Sequence, residues 1–171
     1  MDKDSQFRAV IEAHRDRIYR ICCCYVHDEE ERQDVCQEVM VHVWRRLSDF
    51  EGRAQVSTWI YRVTVNTCID HLRAAQRRNR LIEEEPAGDP PTGADTAFEP
   101  DQALEDDVQH LHECIRRLPT LEKALISLYL EDLDTREMAA VLGISEGNVR
   151  VKLHRTRKRL KALWEASQDG P

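Results

Sequence analysis

The chain has 171 residues, 41% of them hydrophobic and 33% charged, and its 25 Lys and Arg against 32 Asp and Glu leave a net charge of −7. That length holds one domain or two small ones, and six Gly and six Pro suit a helix-rich chain. No apolar run is long enough to span a membrane and no signal peptide opens the chain, so a cytoplasmic protein without membrane insertion is expected.

The net charge conceals a pattern. Residues 1–80 carry a net +1, residues 81–107 carry ten acids and no base, and residues 108–171 carry a net +2. Two near-neutral blocks with basic faces thus flank one acidic segment. This argues for two nucleic-acid-competent modules and an acidic tether.

Residues 5–26 place Phe7, Val10, Ile11, His14, Ile18, Ile21 and Tyr25 at helical spacing. His27 and Asp28 make a break, and a second helix follows over 29–47, its acidic start suited to the helix dipole. Val35, Val39, Val43 and Leu47 form its core-facing row, aided by Cys36 and Met40. Asp34, Gln37, Glu38 and Val41 share another face, which reads either as solvated surface or as a partner site.

Residues 48–55 read as a loop containing Gly52, after which Ser57 or Thr58 caps a long helix running to about Arg80. Phe50, Trp59 and Tyr61 surround the loop together with Arg53 and Arg62. Aromatics mixed with arginine can stack unpaired bases and hold their phosphates, or the rings can simply anchor the loop to the core. Asn66 can read a base edge or satisfy a backbone group, and the helix ends in Arg73, Arg77, Arg78 and Arg80.

Residues 83–99 hold Pro86, Pro90, Pro91, Gly88 and Gly93 among acids and predict a flexible linker. A helix over 101–118 carries Leu104, Val108, Leu111 and Ile115. Pro119 breaks it, and residues 121–130 form another. No strand pattern or internal repeat is present.

The C-terminal stretch 135–160, TREMAAVLGISEGNVRVKLHRTRKRL, predicts two helices joined by a tight turn. Met138, Ala139, Val141 and Leu142 pack the first helix. Gly143 supplies the positive φ that closes it, Ile144 plugs the gap, and Ser145 caps the second. Val149, Leu153, Thr156 and Leu160 share one side of that second helix. Between Asn148 and Lys161 there are seven Lys or Arg and no acid. This is the helix-turn-helix layout, whose second helix reads base edges in the major groove; the alternative is a terminal helix with a solvated basic face.

Six cysteines, Cys22, Cys23, Cys24, Cys36, Cys68 and Cys114, show no C-x-x-C spacing. They read as small buried apolar groups, with a metal or redox role for Cys22 to Cys24 beside His14 and His27 as the alternative. His27, Asp28 and Glu31 could do acid–base chemistry, but no nucleophile pattern or glycine-rich loop accompanies them. No catalytic residue, cofactor or metal is expected.

Taken together the segments DVCQEVMVHVWRRL, STWIYRVTVNTCIDHLR and the helix-turn-helix resemble a bacterial RNA polymerase sigma factor of the extracytoplasmic-function (ECF) group, in the sigma-70 family. The resemblance implies an all-α fold of two small helical domains joined by an acidic flexible linker. Its bounds would be sigma domain 2 over 1–80, a linker over 81–103 and sigma domain 4 over 104–171. It implies a transcription initiation factor whose partners are core RNA polymerase, promoter DNA and an anti-sigma factor. Asp34, Gln37, Glu38 and Val41 would bind the polymerase. Phe50, Arg53, Trp59, Arg62, Asn66, Arg73 and Arg77 would engage the minus-ten element, with the loop from Phe50 to Thr58 capturing an unstacked base. Ser145, Asn148, Arg150, Val151, Lys152, His154 and Arg155 would read the minus-thirty-five element, and the linker would thread the polymerase's positively lined channels. Val56 and Val151 depart from the family pattern, where an aromatic and a small polar residue respectively are common. A two-domain transcription regulator that works without polymerase is the competing reading.

Overall fold

The computed structural model describes residues 2–82 and 102–168. The described residues form α1 (Lys3–Cys23), α2 (Glu29–Arg46), a short 3-10 turn (Leu47–Asp49), α3 (Val56–Ile82), α4 (Gln102–Arg116), α5 (Thr120–Tyr129), α6 (Thr135–Leu142) and α7 (Glu146–Gln168), with no strand among them. The fold is all-α, as the helical periodicity predicts.

Helices α1 to α3 pack pairwise around Ile18, Ile21, Val35, Val39, Val43, Ile60, Val65 and Cys68, each almost or wholly removed from water. Burying an aliphatic side chain of this size contributes about 1.5–3 kcal/mol, so this row fixes which face of each helix turns inward. Helix α1 ends at Cys23, a turn short of the expected residue 26. The amides of Tyr25 and Val26 both fold back on the Cys22 carbonyl at 3.0 Å, because Asp28 must be released to cap α2 through the Glu31 amide at 2.9 Å.

Helix α3 also corrects the sequence reading. The Trp59 amide bonds the Gln55 carbonyl at 3.1 Å, so the helix begins at Val56, and Ser57 and Thr58 lie in its first turn instead of capping it. The reason is packing: Thr58 is buried and Val56 sits against the core, so burial outweighs the local preference of a hydroxyl for the cap.

The second module packs α5, α6 and α7 around Ile115, Leu118, Leu125, Leu128, Met138, Val141, Val149 and Leu153. Pro119 heads α5, its carbonyl accepting from the Lys123 amide at 2.9 Å. The two modules touch. Helices α1 and α3 both contact α5, α3 lies along α6, and one continuous apolar cluster runs through both. Most of the expected tether, residues 83–101, lies outside the described residues. Glu105, Asp106 and Asp107 of the acidic segment belong to α4 and are exposed.

All six cysteines are free and buried, which accounts for the Cys22 to Cys24 triplet as packing at the tight end of α1. Cys22 Sγ lies 3.7 Å from Cys68 Sγ, and burial pushes the Cys24 thiol up to about 12. Among the described residues no group of three or more His, Cys, Asp or Glu is placed to hold a metal, and no helix is long and apolar enough to cross a membrane.

Candidate nucleic-acid interface

The turn before α7 is closed by local chemistry. Asp134 accepts from the Glu137 amide at 2.7 Å while the Glu137 carboxylate accepts from the Asp134 amide at 2.8 Å, a reciprocal capping box that fixes the start of α6. Gly143 ends that helix at φ 69°, and its amide bonds the Ala139 carbonyl. Ser145 Oγ then accepts from the Asn148 amide at 3.2 Å, starting α7.

Val149, Leu153 and Thr156 are buried, and Leu160 is half-buried, so the opposite face of α7 is turned outward. Ser145, Asn148, Arg150, Val151, Lys152, His154 and Arg155 are all exposed, Val151 at 52%. The basic run does not act as a unit. Arg150 is paired with Glu146 at 3.3 Å, Arg159 with Glu122 at 2.8 Å, and Lys161 with Glu165 at 3.6 Å. Arg157 lies over the Tyr129 ring at 5.2 Å, and with Lys161 it edges an apolar groove of about 250 Å³ walled by Leu111, Ile126, Leu130, Leu160 and Trp164. Lys152, Arg155 and Lys158 have no ion pair among the described residues.

In the first module Phe50 and Trp59 stack at 5.2 Å between ring centroids, tilted by 39°, so both rings close the loop onto α3. Both are partly buried, while Arg53 is exposed and paired with Glu51 at 2.5 Å. Asn66, Arg73 and Arg77 are exposed along α3, with Arg73 3.7 Å from Asp70. Tyr61 is not beside this loop. It is buried at 2% with its hydroxyl 2.5 Å from Arg17 Nη1. On α2, Asp34, Gln37 and Glu38 are exposed next to Val41 at 44%, on the face opposite the buried valines.

Arg62 stands apart from the other expected DNA residues. Its guanidinium donates to the Ala140 carbonyl in the last turn of α6, where helix carbonyls have no partner of their own. Sequence reasoning also missed the residues that join the modules. Arg20 grips Glu131 with two bonds, at 2.7 and 2.8 Å, and Arg17 stands 3.9 Å away. Arg116 donates to the Cys23 carbonyl at 3.2 Å and lies 3.1 Å from His27 Nδ1. These pairs are separated by 111 and about 90 positions, and no local pattern announces them.

Comparison with known proteins places this geometry. The model of Sigma-70 region 2 matches residues 10–78 and that of Sigma-70, region 4 matches residues 109–160. The RNA polymerase sigma-H factor of Pseudomonas aeruginosa is 31% identical over 172 residues, covering 92% of this chain and 86% of that protein. The chain belongs to the sigma-70 family, in its extracytoplasmic-function group. The ECF RNA polymerase sigma factor SigW of Bacillus subtilis is 26% identical, covering 94% of this chain and 89% of that protein. Two solved structures share the fold. CnrH in complex with the cytosolic domain of CnrY aligns with a TM-score of 0.69 at 21% identity over 98% of this chain and 91% of that one. The sigma factor RpoE in complex with the anti-sigma factor NepR from Bartonella quintana aligns with a TM-score of 0.68 at 15% identity over 95% and 96%. Sigma factors direct RNA polymerase and are not enzymes. The acid–base reading of His27, Asp28 and Glu31 is therefore set aside: Asp28 is the helix cap and His27 faces Arg116. The regulator acting without polymerase is likewise not favoured.

Proposed function

We propose that this sigma factor reads its promoter with two surfaces while its α2 face holds the polymerase, all in the cytoplasm. Asp34, Gln37, Glu38 and Val41 dock on core RNA polymerase as an acidic rim around one exposed apolar residue. Phe50, Arg53, Trp59, Arg62, Asn66, Arg73 and Arg77 engage the minus-ten element. The stacked rings receive an unstacked base, whose extrusion costs a few kcal/mol that stacking and hydrogen bonds offset. Ser145, Asn148, Arg150, Val151, Lys152, His154 and Arg155 enter the major groove at the minus-thirty-five element. There Val151 offers an apolar contact of the kind a thymine methyl accepts. Sigma domain 2 then spans residues 1–80, the acidic linker 81–103 and sigma domain 4 residues 104–171. An anti-sigma factor, as in the solved complex of RpoE with the anti-sigma factor NepR, is a further partner.

The observation that carries this reading is the outward face of α7, where polar and cationic side chains stand exposed on the first two turns of a helix whose other side is buried. With a net charge of −7 the free chain binds duplex weakly, so polymerase is required. Run-off transcription with core polymerase on a promoter library tests both surfaces. Asp34→Arg with Glu38→Arg abolishes co-purification with core polymerase while helix content is unchanged, and retained co-purification refutes the α2 assignment.

A further inference from the structure

Where the ends of α1 and α4 meet the start of α2, cations gather without counter-ions. Arg32 of α2 donates from one amino nitrogen to Cys23 Sγ at 3.2 Å and from the other to the His27 carbonyl at 3.2 Å. Arg116, the last residue of α4, donates to the Cys23 carbonyl at 3.2 Å, and its other amino nitrogen lies 3.1 Å from His27 Nδ1. Both guanidiniums thus converge on Cys23 and His27. Both are half-buried, and neither forms an ion pair among the described residues. Lys123 of α5 is a third cation in the group. It is only 7% exposed and likewise forms no ion pair among the described residues. Burial, followed by the nearby Arg116, holds its ammonium below the ordinary lysine value.

The acids close by do not balance this charge. Asp28 accepts from the Glu31 amide, and the Glu31 carboxylate is 2.9 Å from His71. Glu29 and Glu113 act on Arg32 and Arg116 through space without bonding them. The carbonyl end of α1 offers about half a negative charge, against three cations. Like charges held together away from water cost free energy unless an anion joins them. Arg32 Nε, moreover, is buried without a hydrogen-bond partner among the described residues, so one donor of its fork is unmet.

We propose that Arg32, Arg116 and Lys123, with the exposed His27 at the rim, bind a small phosphate-class anion carrying two or more charges. Planar guanidinium forks match the oxygens of a tetrahedral oxoanion, and an ammonium adds a point charge beside them. The recess suits a small ion better than a duplex backbone, since Lys123 is almost enclosed. None of these residues belongs to the two promoter-reading sets or to the α2 docking face, so the site stands apart from the proposed function.

Isothermal titration calorimetry of the free full-length chain with inorganic pyrophosphate tests the site, at about 0.15 M chloride to screen weak surface binding. One ion is expected to bind per chain and to raise the melting temperature. Arg32→Gln and Arg116→Gln are each expected to weaken binding about tenfold or more. Replacing Lys152, Arg155 and Lys158 by Ala is expected to leave it unchanged. ADP in place of pyrophosphate identifies the source: tighter binding assigns the site to a nucleotide, equal or weaker binding to the free ion, and both support it. If the arginines only cap α1, pyrophosphate neither binds nor raises the melting temperature, and the proposal falls. It falls equally if binding survives both arginine variants but is lost with the three α7 cations. Should Arg32→Gln and Arg116→Gln lose helical circular dichroism, His27→Ala at the exposed rim carries the test. Several-fold weaker binding is expected there, and unchanged affinity would overturn the site.

Discussion

The division of the basic run on α7 leads to a quantitative prediction. Seven cations lie between Asn148 and Lys161, yet Arg159 and Lys161 are paired with Glu122 and Glu165, and Arg157 lies over Tyr129. Lys152, Arg155 and Lys158 are exposed and without an ion pair among the described residues. Each phosphate contact contributes about 0.9 to the slope of log K against log salt. Replacing those three by Ala should make the slope shallower by about 2.7. Over a rise from about 50 to about 200 mM salt, the loss of affinity should shrink by about 40-fold. Replacing Arg157, Arg159 and Lys161 by Ala removes the same formal charge but should change the slope by less than about one contact, about 0.9. The assay is fluorescence anisotropy of a labelled promoter duplex titrated with the polymerase holoenzyme across that salt range. Equal flattening by the two triple variants would refute the reasoning, since pairing and position would then not select which cations meet phosphate.

Three further outcomes follow from the fold. Gly143 sits at φ 69° with nothing within 4 Å of where a Cβ would stand, so Gly143→Ala should cost about 1–2 kcal/mol from the backbone alone, with Gly143→Asn less harmful; thermal melting measures both. Burial, with Arg17 nearby, holds the His14 imidazole below its ordinary pKa of 6.5, and burial with Arg116 and Arg32 does the same for His112. Each therefore binds fewer protons folded than unfolded. Its contribution is whole above pH about 6.5 and is lost as pH falls through the lower folded values. Melting temperature should drop between pH about 7 and about 5, and His14→Gln with His112→Gln should flatten that drop; an unchanged profile speaks against burial as its source. Iodoacetamide should leave all six thiols of the native chain unmodified and react with all six in guanidinium; rapid native labelling would contradict their burial.

The elements most legible in the sequence were those determined by neighbours in the chain. Gly143 and Ser145 announce the turn because a positive φ and a hydroxyl cap are local requirements, and both act as read. The valine row of α2 was equally plain from its period. The start of α3 is not legible from its hydroxyls, because Thr58 obeys the core instead of its cap preference. Tyr61 neighbours the aromatic loop in sequence, yet the helix turns it inward to Arg17. Arg20, Arg116 and Glu131 look like ordinary surface charges in the sequence. Their role arises only when distant helices meet, and Arg62 acquires a second partner the same way.

The shielding of Glu131 also bears on how the chain folds. Its carboxylate has company only while α1 covers the end of α5, so the stability of the second module depends on the integrity of the first. With this ion pair and one apolar cluster shared between them, the two modules of the free chain are expected to melt in a single transition.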